Sequence, residues 1–551
     1  MSRWQTRNKT AEAAPPDNAQ MTAARHARLC VPVCVRRADE LRVAIMRAAE
    51  VGEVIELRLD CLADDAQLER ATRELPALFR ARPRPFILTF RPSEQGGHQT
   101  SGMARRVRFW AENFSPGRER ADYADLELEL AESLAAEEAR RAGKLIDWDK
   151  VICSHHDFDG LPADLEAIFA RMMETPARIL KIAVRARDIT DCLPVLRMLG
   201  EARLEAGREV IAVAMGEAGL LTRILAPARG AFVTYGALAP EHSTAPGQTT
   251  ARELRDLYRV HDIDERTQIM GLAGSPVSHS VSPHMHNAAF AARGLNAVYI
   301  PFEVGDARLF IRRMAHPLTR ELAWNLRGLS VTAPHKSAIM SELDSSDEAA
   351  REIGAVNTVV VEGDALRGYN TDARAALAPL AGLLKLSGAR VAVIGAGGAA
   401  RAVLWSLREA CAQAAVFARD TERARATAEN FDARCCALEG ARFDSFDLVV
   451  NTTPLGTRGG RETETPAEAF QLRGARAAYD LVYNPRETRF MREARAAGCE
   501  IILGGLPMLV AQAAAQFKLW TGEDAPLEVM SAAAELQRSE VRGQRLEVSE
   551  R

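Results

Sequence analysis

Residues 177–184 have the sequence Ala-Arg-Ile-Leu-Lys-Ile-Ala-Val, a short apolar run that is typical of a buried β-strand. Seven more runs of this kind, with helical patterns between them, lie at 29–35, 53–59, 85–91, 123–129, 150–157, 210–216 and 232–238. Strands that alternate with amphipathic helices form βαβ units with a parallel sheet. A closed (β/α)8 barrel has eight such units, so the first half of the sequence predicts this α/β fold.

Lys181 lies in the middle of this strand. Of the 71 lysines and arginines in the chain only 7 are lysines, so an ordinary surface cation is usually arginine here. A desolvated lysine near other cations can present a neutral amine and attack a carbonyl carbon, whereas arginine stays protonated. Lys181 is therefore a candidate for imine formation. The alternative is a lysine on an edge strand whose ammonium group extends to water.

Other polar side chains stand at the ends of the predicted strands, where a barrel collects its functional groups. Glu56, Arg58 and Asp60 alternate along the second strand, so we expect them to share one face. A mouth rich in arginine, lysine and histidine suits a carboxylate ligand and an acid–base reaction. The further members of this set are Arg91, Ser154-His-His-Asp157 and Arg223.

The second half contains a glycine-rich turn in the context of a dinucleotide site. The strand-like run 390–394 leads directly into Gly395-Ala-Gly-Gly398 and an alanine-rich helix. This order predicts a Rossmann-like lobe in which a pyrophosphate rests on the helix N-terminus. After the next strand, Arg419 and Arg423 favour the 2′-phosphate of NADP, whereas Asp420 leaves NAD open.

Two serines precede a predicted helix near the start of the second half. Ser280 and Ser282 come just before Pro283, which can open a helix, so their hydroxyls and the free amides suit a carboxylate. The nearby His279, His284 and His286 do not have the spacing of a closed metal-ligand set. We therefore predict no metal.

The motifs of the first half resemble type I 3-dehydroquinate dehydratase in order and spacing over roughly residues 26–260. The resemblance implies that Lys181 forms a Schiff base with the substrate ketone and that His156 moves the proton. It implies substrate contacts from Glu56, Arg58, Arg91, Arg223, Thr244 and Gln248. The motifs are Glu-Leu-Arg-Leu-Asp at 56–60, Thr-Phe-Arg at 89–91, Gly96-Gly97, Ser-His-His-Asp-Phe at 154–158, Lys-Ile-Ala-Val at 181–184, Arg223 and Thr-Ala-Pro-Gly-Gln at 244–248.

Two positions depart from that family's usual pattern. Gln95 stands where a glutamate usually precedes the Gly-Gly pair, and Thr244 replaces a serine. The group that orients His156 is therefore open between Glu94, Asp157 and Gln95. His155 is adjacent to His156, and because neighbouring strand positions face opposite sides, only one of the two can reach the mouth.

The second half resembles shikimate dehydrogenase over roughly 268–535. The motifs are Ser330-Val-Thr-Ala-Pro-His-Lys336, Gly354-Ala-Val-Asn-Thr358, Gly368-Tyr-Asn-Thr-Asp372, Asn451-Thr-Thr-Pro-Leu-Gly456, Asp480-Leu-Val-Tyr-Asn-Pro485 and Gly505-Leu-Pro-Met-Leu-Val-Ala-Gln512. The resemblance implies Lys336 and Asp372 as the catalytic pair, and a structural ion pair is the alternative. Implied substrate contacts are Ser280, Ser282, Thr332, Asn357, Tyr483 and Gln512. Implied NADP contacts are Gly395, Gly397, Gly398, Ala399, Arg419, Arg423 and Gly505.

These patterns predict several units along the chain. They are a tail at 1–25, the barrel at 26–260, a substrate-binding lobe at 266–385 completed by about 505–537, a cofactor lobe at 386–504 and a tail at 538–551. The net charge of -3 is spread evenly, which does not suit nucleic acid or an anionic membrane. Nine cysteines without paired CxxC or Cys/His spacing favour reduced thiols in the cytoplasm, with Cys30 and Cys34 packed as small apolar residues. A plastid transit peptide stays an alternative.

Together the two resemblances indicate a bifunctional enzyme of the shikimate pathway. It would convert 3-dehydroquinate into 3-dehydroshikimate and reduce that product to shikimate with NADPH. The alternatives are a dehydrogenase that uses quinate with NAD, and a chain in which one half has become a non-catalytic module. Gln95 is the only residue that motivates the last alternative.

Overall fold

Eight parallel strands form the first of three sheets. The computed structural model describes residues 28–114, 120–141 and 144–537, apart from the side chains of 201–206 and 423. The strands are β1 Arg28–Val33, β2 Val54–Arg58, β3 Phe86–Thr89, β4 Tyr123–Glu127, β5 Val151–Asp157, β6 Ile179–Arg185, β7 Glu209–Met215 and β8 Val233–Tyr235. The helices between them are α1 Leu41–Val51, α2 Asp65–Arg80, α3 Met103–Asn113, α4 Leu128–Arg141, α5 Leu165–Glu174, α6 Cys192–Ala206 and α7 Leu220–Leu225.

The eight strands make a nearly closed barrel. From β1 to β7 each strand pairs with the next one in chain order, and β8 pairs with β1. Between β7 and β8, Phe232 N donates to Val210 O at 2.8 Å. The predicted barrel is therefore confirmed, with strand ends that differ by a few residues. Asp60 was placed on the second strand, but it lies in the 3-10 turn that follows Arg58.

The second sheet belongs to the lobe that follows the barrel. Its elements are β9 Gln268–Gly274, α8 Ser282–Ala292, β10 Ala297–Glu303, α9 Ala307–Phe310, β11 Leu326–Val331, β12 Ser345–Ser346, α10 Glu348–Ile353, β13 Thr358–Glu362, β14 Ala365–Tyr369 and α11 Thr371–Ala375. The strand order is β10-β9-β11-β13-β14-β12, with β13 antiparallel to both of its neighbours. The ends of β9, β11 and β14 and the start of β13 therefore lie at one edge of this sheet.

The third sheet is parallel and has helices on both faces. Its elements are β15 Arg390–Ile394, α12 Gly398–Glu409, β16 Gln413–Ala418, α13 Thr421–Asn430, β17 Arg434–Ala437, β18 Leu448–Asn451, α14 Ala469–Leu472, β19 Ala477–Asp480, α15 Arg489–Ala497 and β20 Ile501–Leu503. The order β17-β16-β15-β18-β19-β20 reverses direction at β15, as in a doubly wound dinucleotide fold. After it, α16 Leu506–Thr521 returns to pack on α8 and α11.

The barrel and the second lobe share one apolar core. Helix α7 packs against β10, and Ile224 and Ile300 belong to the same buried cluster. A polar contact lies beside it, where Gly305 N donates to Asp188 Oδ2 at 2.7 Å. Because Asp188 follows β6, the second lobe touches the barrel at the end where the strands finish.

The cysteine prediction is wrong in one respect. Cys34 and Cys61 form a disulfide, although they are 27 positions apart in the sequence. Cys34 follows β1 and Cys61 follows β2, and the ends of two neighbouring parallel strands bring them together. Cys30 is fully buried as predicted. The predicted tails at 1–25 and 538–551 lie outside the described residues.

None of the helices in the described part of the chain is long and apolar enough to cross a bilayer.

Candidate active sites

A cavity opens at the mouth of the barrel, where the strands end, and the free space in and above it, which includes open solvent, is about 460 Å³. Its lining includes every residue of the first half that the sequence proposes as a catalytic or substrate contact. These are Glu56, Arg58, Arg91, His156, Lys181, Arg223, Thr244 and Gln248. The barrel thus brings together side chains from strands and loops that are far apart in the sequence, while the neighbouring His155 is not part of the lining.

Lys181 lies inside the barrel and is only 5% exposed. Along β6, Ile179 and Ala183 pack in the barrel interior, whereas Leu180 and Ile182 pack outward against the helices. The period of two therefore turns Lys181 inward. Because β6 lies between β5 and β7, the edge-strand alternative is wrong.

The ammonium group of Lys181 is held by three oxygen atoms. Nζ lies 2.8 Å from Asp125 Oδ2, 3.2 Å from the hydroxyl of Tyr235 and 3.4 Å from Glu56 Oε1. Glu56 also accepts from the hydroxyl of Thr89 at 2.9 Å. The side-chain nitrogen of Lys181 is thus held at the floor of the cavity by groups from three other strands, β2, β4 and β8.

Asp125 is a site residue that the sequence did not reveal. Its Oδ2 also accepts from Arg91 Nη2 at 2.8 Å, and its Oδ1 accepts from the hydroxyl of Ser154 at 2.6 Å. Burial alone would raise the pKa of this carboxyl, but the charges of Arg91 and Lys181 outweigh burial and lower it. The sequence feature that could have pointed to Asp125 is an acidic residue in the middle of the strand-like run Tyr-Ala-Asp-Leu-Glu.

We expect Asp125→Asn to lower kcat/KM for the dehydration that the sequence resemblance implies by about 10- to 150-fold. The reason is that it removes the charge that holds two cations, and each such hydrogen bond contributes about 1.5–3 kcal/mol. Initial rates of dehydration measure the effect. The exposed acid Asp149 gives the matched control, Asp149→Asn, and equal losses in the two variants would contradict the assignment.

Arg91 is the group that contacts the ring of His156. Its Nη1 donates to Nδ1 of His156 at 2.5 Å. Burial, followed by the charges of Arg91 and Lys181, lowers the pKa of His156 well below its ordinary value, so the ring is neutral. A neutral ring that accepts at Nδ1 carries its proton on Nε2.

None of the three alternatives for orienting His156 corresponds to the observed contacts. Gln95 donates to Glu129 at 3.0 Å, and the carboxylate of Asp157 accepts from the backbone nitrogens of Asp159 and Gly160. Glu94 is exposed. The reason is that Gln95 turns away from the cavity toward α4, while Arg91 comes from the end of β3 and reaches the ring directly.

Arg223 is a buried cation without a partner anion in the described part of the chain. It is 1% exposed, its Nη1 donates to Tyr235 O at 3.0 Å, and its Nε has no hydrogen-bond partner among the described residues. Burial lowers its pKa to about 10. Buried guanidinium groups normally pair with an anion, so this cavity suits a ligand with a carboxylate.

The remaining groups of the cavity are held in place by their neighbours. Arg58 makes a two-pronged ion pair with Asp60, at 2.9 and 2.7 Å, and also donates to Gly96 O at 3.3 Å. Gln248 Oε1 accepts from the backbone nitrogen and the hydroxyl of Thr244. Both pairs place polar groups at the cavity wall.

A second polar cluster lies at the edge of the second sheet, where β9, β11 and β14 end. Lys336 Nζ lies 2.5 Å from Asp372 Oδ2, and Asn357 Nδ2 donates to Asp372 Oδ1 at 2.8 Å. Val331 N donates to Asn357 O, and Asn357 N donates to Tyr369 O. The two proposed catalytic side chains, 36 positions apart, are in direct contact because three strand ends meet there.

The other proposed substrate contacts lie on four segments of the second half. Ser282 begins α8 and its backbone nitrogen donates to the hydroxyl of Ser280 at 3.2 Å. Thr332 follows β11, and its backbone nitrogen donates to Ala273 O at the end of β9. Gln512 lies on α16, while Tyr483 follows β19 and packs at the margin of the lobe's second core.

Gln516 is a second residue that the sequence analysis missed. It lies one turn after Gln512 on α16, is 2% exposed and bonds to Ser330, Thr358 and Asn357 O. Ser330 in turn accepts from the hydroxyl of Tyr299 at 2.7 Å. This buried network fixes the backbone of Asn357. Gln516 is four residues after Gln512, so the two lie on the same face of the helix, and this spacing could have pointed to Gln516.

The glycine-rich turn joins β15 to α12. Gly395 has φ +112, and a Cβ there would lie 2.6 Å from Thr452 Oγ1. Gly397 and Gly398 face open space at the helix N-terminus, where an added Cβ would have no atom of the described residues within 4 Å, and Ala399 is exposed beside them. This open, positively polarised helix end fits a dinucleotide pyrophosphate.

Two arginines were proposed to recognise the 2′-phosphate. Arg419 is exposed and follows β16. Because β16 is parallel to β15, Arg419 lies at the same edge of the sheet as the glycine turn that follows β15. The side chain of Arg423 lies outside the described residues. Gly505 precedes α16, where a Cβ would meet Leu481 O at 2.2 Å, so close backbone packing explains this glycine.

Known proteins resemble the chain over both halves. Three protein families match it: Type I 3-dehydroquinase over 29–265, the shikimate dehydrogenase substrate binding domain over 272–359 and the shikimate 5'-dehydrogenase C-terminal domain over 505–535. The bifunctional 3-dehydroquinate dehydratase/shikimate dehydrogenase, chloroplastic, of Arabidopsis thaliana is 33% identical over 526 residues, covering 91% of this chain and 83% of the relative.

Two further proteins are similar to the chain. A shikimate dehydrogenase (NADP(+)) of Moorella thermoacetica is 44% identical over 284 residues, covering 48% of this chain and 91% of the relative. The solved structure of the dehydroquinate dehydratase and shikimate dehydrogenase from S. pombe AroM covers 93% of this chain and 98% of that chain, with 24% identity and a TM-score of 0.41.

The two halves combine a lyase of the (β/α)8 barrel class with an NADP-dependent dehydrogenase in one polypeptide. The Arabidopsis relative spans both halves, and this chain belongs to the family of bifunctional 3-dehydroquinate dehydratase/shikimate dehydrogenases. Its two activities are steps of the shikimate pathway, and its cofactor is NADP, as the sequence predicted. The cytoplasmic location stays a prediction, with a plastid as the alternative.

Proposed function

We propose that the barrel dehydrates 3-dehydroquinate through an imine on Lys181 and that Lys336 and Asp372 then serve the reduction of 3-dehydroshikimate. The observation that carries this assignment is the pairing, in one cavity, of a buried lysine with a buried arginine that has no partner anion among the described residues. The lysine suits the ketone of the substrate, and Arg223 suits its carboxylate.

The dehydration follows from the atoms around Lys181. Its amine, once a proton has left Nζ, attacks the ketone carbon, and loss of water gives a protonated imine. The imine withdraws electrons from the neighbouring carbon, so its C–H proton becomes acidic. His156 takes that proton, and the electron pair forms the C=C bond as the hydroxyl leaves with a proton from His156. Water then cleaves the imine and releases Lys181, so the net change is loss of one water.

The position of Arg91 sets a condition on this mechanism. Nδ1 is the unprotonated nitrogen of His156, and Arg91 donates to it. His156 therefore accepts the substrate proton at Nδ1 only after Arg91 turns away. The other nitrogen of that guanidinium is held by Asp125, so the required motion is a rotation of Arg91 about this contact toward the bound substrate.

In the second half, Lys336 supplies the proton for the reduced carbonyl oxygen. Asp372 holds Nζ of Lys336, and Asn357 holds the other oxygen of Asp372, so the amine is fixed at the sheet edge. The serines at the start of α8 suit the substrate carboxylate. Bound NADPH supplies the two electrons, and Gly397, Gly398 and Arg419 would hold its phosphates.

The experiment that tests the whole assignment supplies 3-dehydroquinate and NADPH to the intact chain and follows cofactor oxidation. Oxidation requires both halves, because only the product of the first reaction is reduced in the second. We expect oxidation to match the formation of shikimate. No oxidation with 3-dehydroquinate, together with normal oxidation with 3-dehydroshikimate, would indicate that the barrel is a non-catalytic module.

We expect Arg419→Ala to raise KM for NADPH about tenfold and to leave KM for NADH nearly unchanged. The reason is that a charge-assisted hydrogen bond to the 2′-phosphate contributes about 1.5 kcal/mol or more, and only NADPH carries that phosphate. Initial rates with 3-dehydroshikimate and each cofactor measure the effect. Arg434→Ala, an exposed arginine on β17 of the same lobe, is the matched control. A similar loss with both cofactors would contradict the assignment.

A further inference from the structure

Cys34, Cys61 and His98 form a cluster at the rim of the barrel mouth, apart from the groups assigned to the two reactions. One ligand atom of each lies within 4.8 Å of the other two. Cys34 follows β1, Cys61 follows β2 and His98 lies in the loop after β3. Because these strands are parallel neighbours, their ends meet and bring together residues up to 64 positions apart.

Two thiolates and an imidazole are the ligands that a soft or borderline divalent ion prefers. We propose that Cys34, Cys61 and His98 bind one Zn²⁺ ion when the two cysteines are in the thiol form. Water takes the fourth position. The spacing of the three residues in the sequence matches no zinc motif, so the site exists only because the barrel assembles it.

Once the bond between the two sulfur atoms is reduced and they move apart, the positions of the three residues suit such an ion. Tetrahedral zinc with bonds of about 2.3 Å to sulfur and about 2.0 Å to nitrogen requires sulfur–sulfur and sulfur–nitrogen separations of roughly 3.6–3.8 Å. Cys34 Sγ lies 4.0 Å from His98 Nε2, and the Cα atoms of the cysteines are 5.4 Å apart. Cys61 is 4% exposed and His98 is exposed, so one side of the cluster is protein and the other is open to water.

The disulfide and the zinc site are alternative states of the same cysteine pair. A thiol reductant converts the S–S bond into two thiols and is itself oxidised to a disulfide. Each cysteine then releases one proton as its sulfur binds the ion. The disulfide form offers no thiolate, so oxidation excludes zinc and reduction admits it.

The cluster is connected to the dehydratase cavity through Arg58. Cys61 directly follows Asp60, whose carboxylate makes the two-pronged pair with Arg58. Gly96, two positions before His98, accepts from the same guanidinium. An ion at the cluster therefore ties together the loops that hold Arg58, while it stays outside the reacting groups.

The test uses the full chain reduced with a phosphine and titrated with CoCl₂ in the absence of air. We expect one Co²⁺ per chain, with thiolate-to-cobalt charge-transfer absorption and the intense visible bands of tetrahedral cobalt, both abolished by ZnCl₂. ZnCl₂ should also raise the thermal unfolding midpoint of the reduced chain, because the ion binds only the folded cluster. Unreduced chain should show neither effect.

Matched variants decide whether these three residues are the ligands. Cys34→Ser and His98→Ala should each lose the cobalt spectrum, and Cys411→Ser, which alters an exposed cysteine of the cofactor lobe, should keep it. The dehydrogenase activity of each variant reports that the chain is folded. A reduced chain that binds no Co²⁺ overturns the proposal, whether the disulfide resists reduction or the thiols do not bind. A spectrum that persists in Cys34→Ser also overturns it.

Discussion

Replacing Lys181 with alanine is expected to lower the turnover of 3-dehydroquinate by about 10⁴-fold or more, and to leave the NADPH-dependent reduction of 3-dehydroshikimate intact. The loss is large because no other group in the cavity can form the imine that makes the substrate C–H acidic. Absorbance of the conjugated product measures the first activity, and NADPH oxidation measures the second.

Trapping of the imine tests the same prediction without a variant. Borohydride added during turnover should attach the substrate carbon skeleton to Lys181, which peptide mass spectrometry locates. Lys150→Ala is the matched control, because this lysine lies at the opposite end of the barrel, before β5, and should keep full dehydratase activity. Unimpaired turnover without any trapped adduct would exclude the imine mechanism.

Replacing Lys336 with methionine should have the reciprocal effect. We expect kcat for the reduction of 3-dehydroshikimate to fall by about 10²- to 10⁴-fold, the usual contribution of a positioned general acid, while dehydration is unchanged. Methionine keeps most of the side-chain volume and removes the proton donor. The loss should fall mainly on kcat, because cofactor binding uses a different lobe.

Two further variants separate catalysis from a structural ion pair. Asp372→Asn keeps a hydrogen bond to Lys336 but removes the charge, so it should lower kcat less than Lys336→Met does. Lys385→Ala, at an exposed lysine between the two lobes, should behave like the unaltered chain. If Lys336→Met leaves kcat unchanged and only lowers the unfolding temperature, the pair of Lys336 and Asp372 is a structural ion pair and not a catalytic one.

The positions of most site residues followed from the sequence because of strand geometry. A period of two and the rule that parallel strands end at one edge were sufficient to place Lys181, Arg223 and one of two adjacent histidines at a common mouth. The resemblance to type I 3-dehydroquinate dehydratase then selected His156 over His155. The resemblance to shikimate dehydrogenase, rather than this rule, indicated Lys336, Asn357 and Asp372, which lie at one edge of the second sheet because the ends of β11 and β14 and the start of β13 meet there. The period of two within each strand and the order of the strands along the chain can both be read from the sequence.

Asp125 and Gln516 could not be assigned in this way. Each is a buried polar residue in a largely apolar element. The sequence does not distinguish a buried polar residue that holds a catalytic group from one that only satisfies its own hydrogen bonds. The difference lies in the partners. Asp125 meets Arg91 and Lys181 from two other strands, and Gln516 meets Ser330 from more than 180 positions away.

The eight strand-like runs of the first half, among them 177–184, and the glycine turn at 395–398 were enough to predict a barrel and a cofactor lobe from the sequence alone, because strand period and turn chemistry are local properties. Only the tertiary structure decided that Arg91 contacts His156 and that Cys34 joins Cys61 beside His98. Contacts of this kind depend on the twist and stagger with which neighbouring strands end. Twist and stagger are set by the packing of the whole barrel, so they cannot be predicted from a short stretch of sequence.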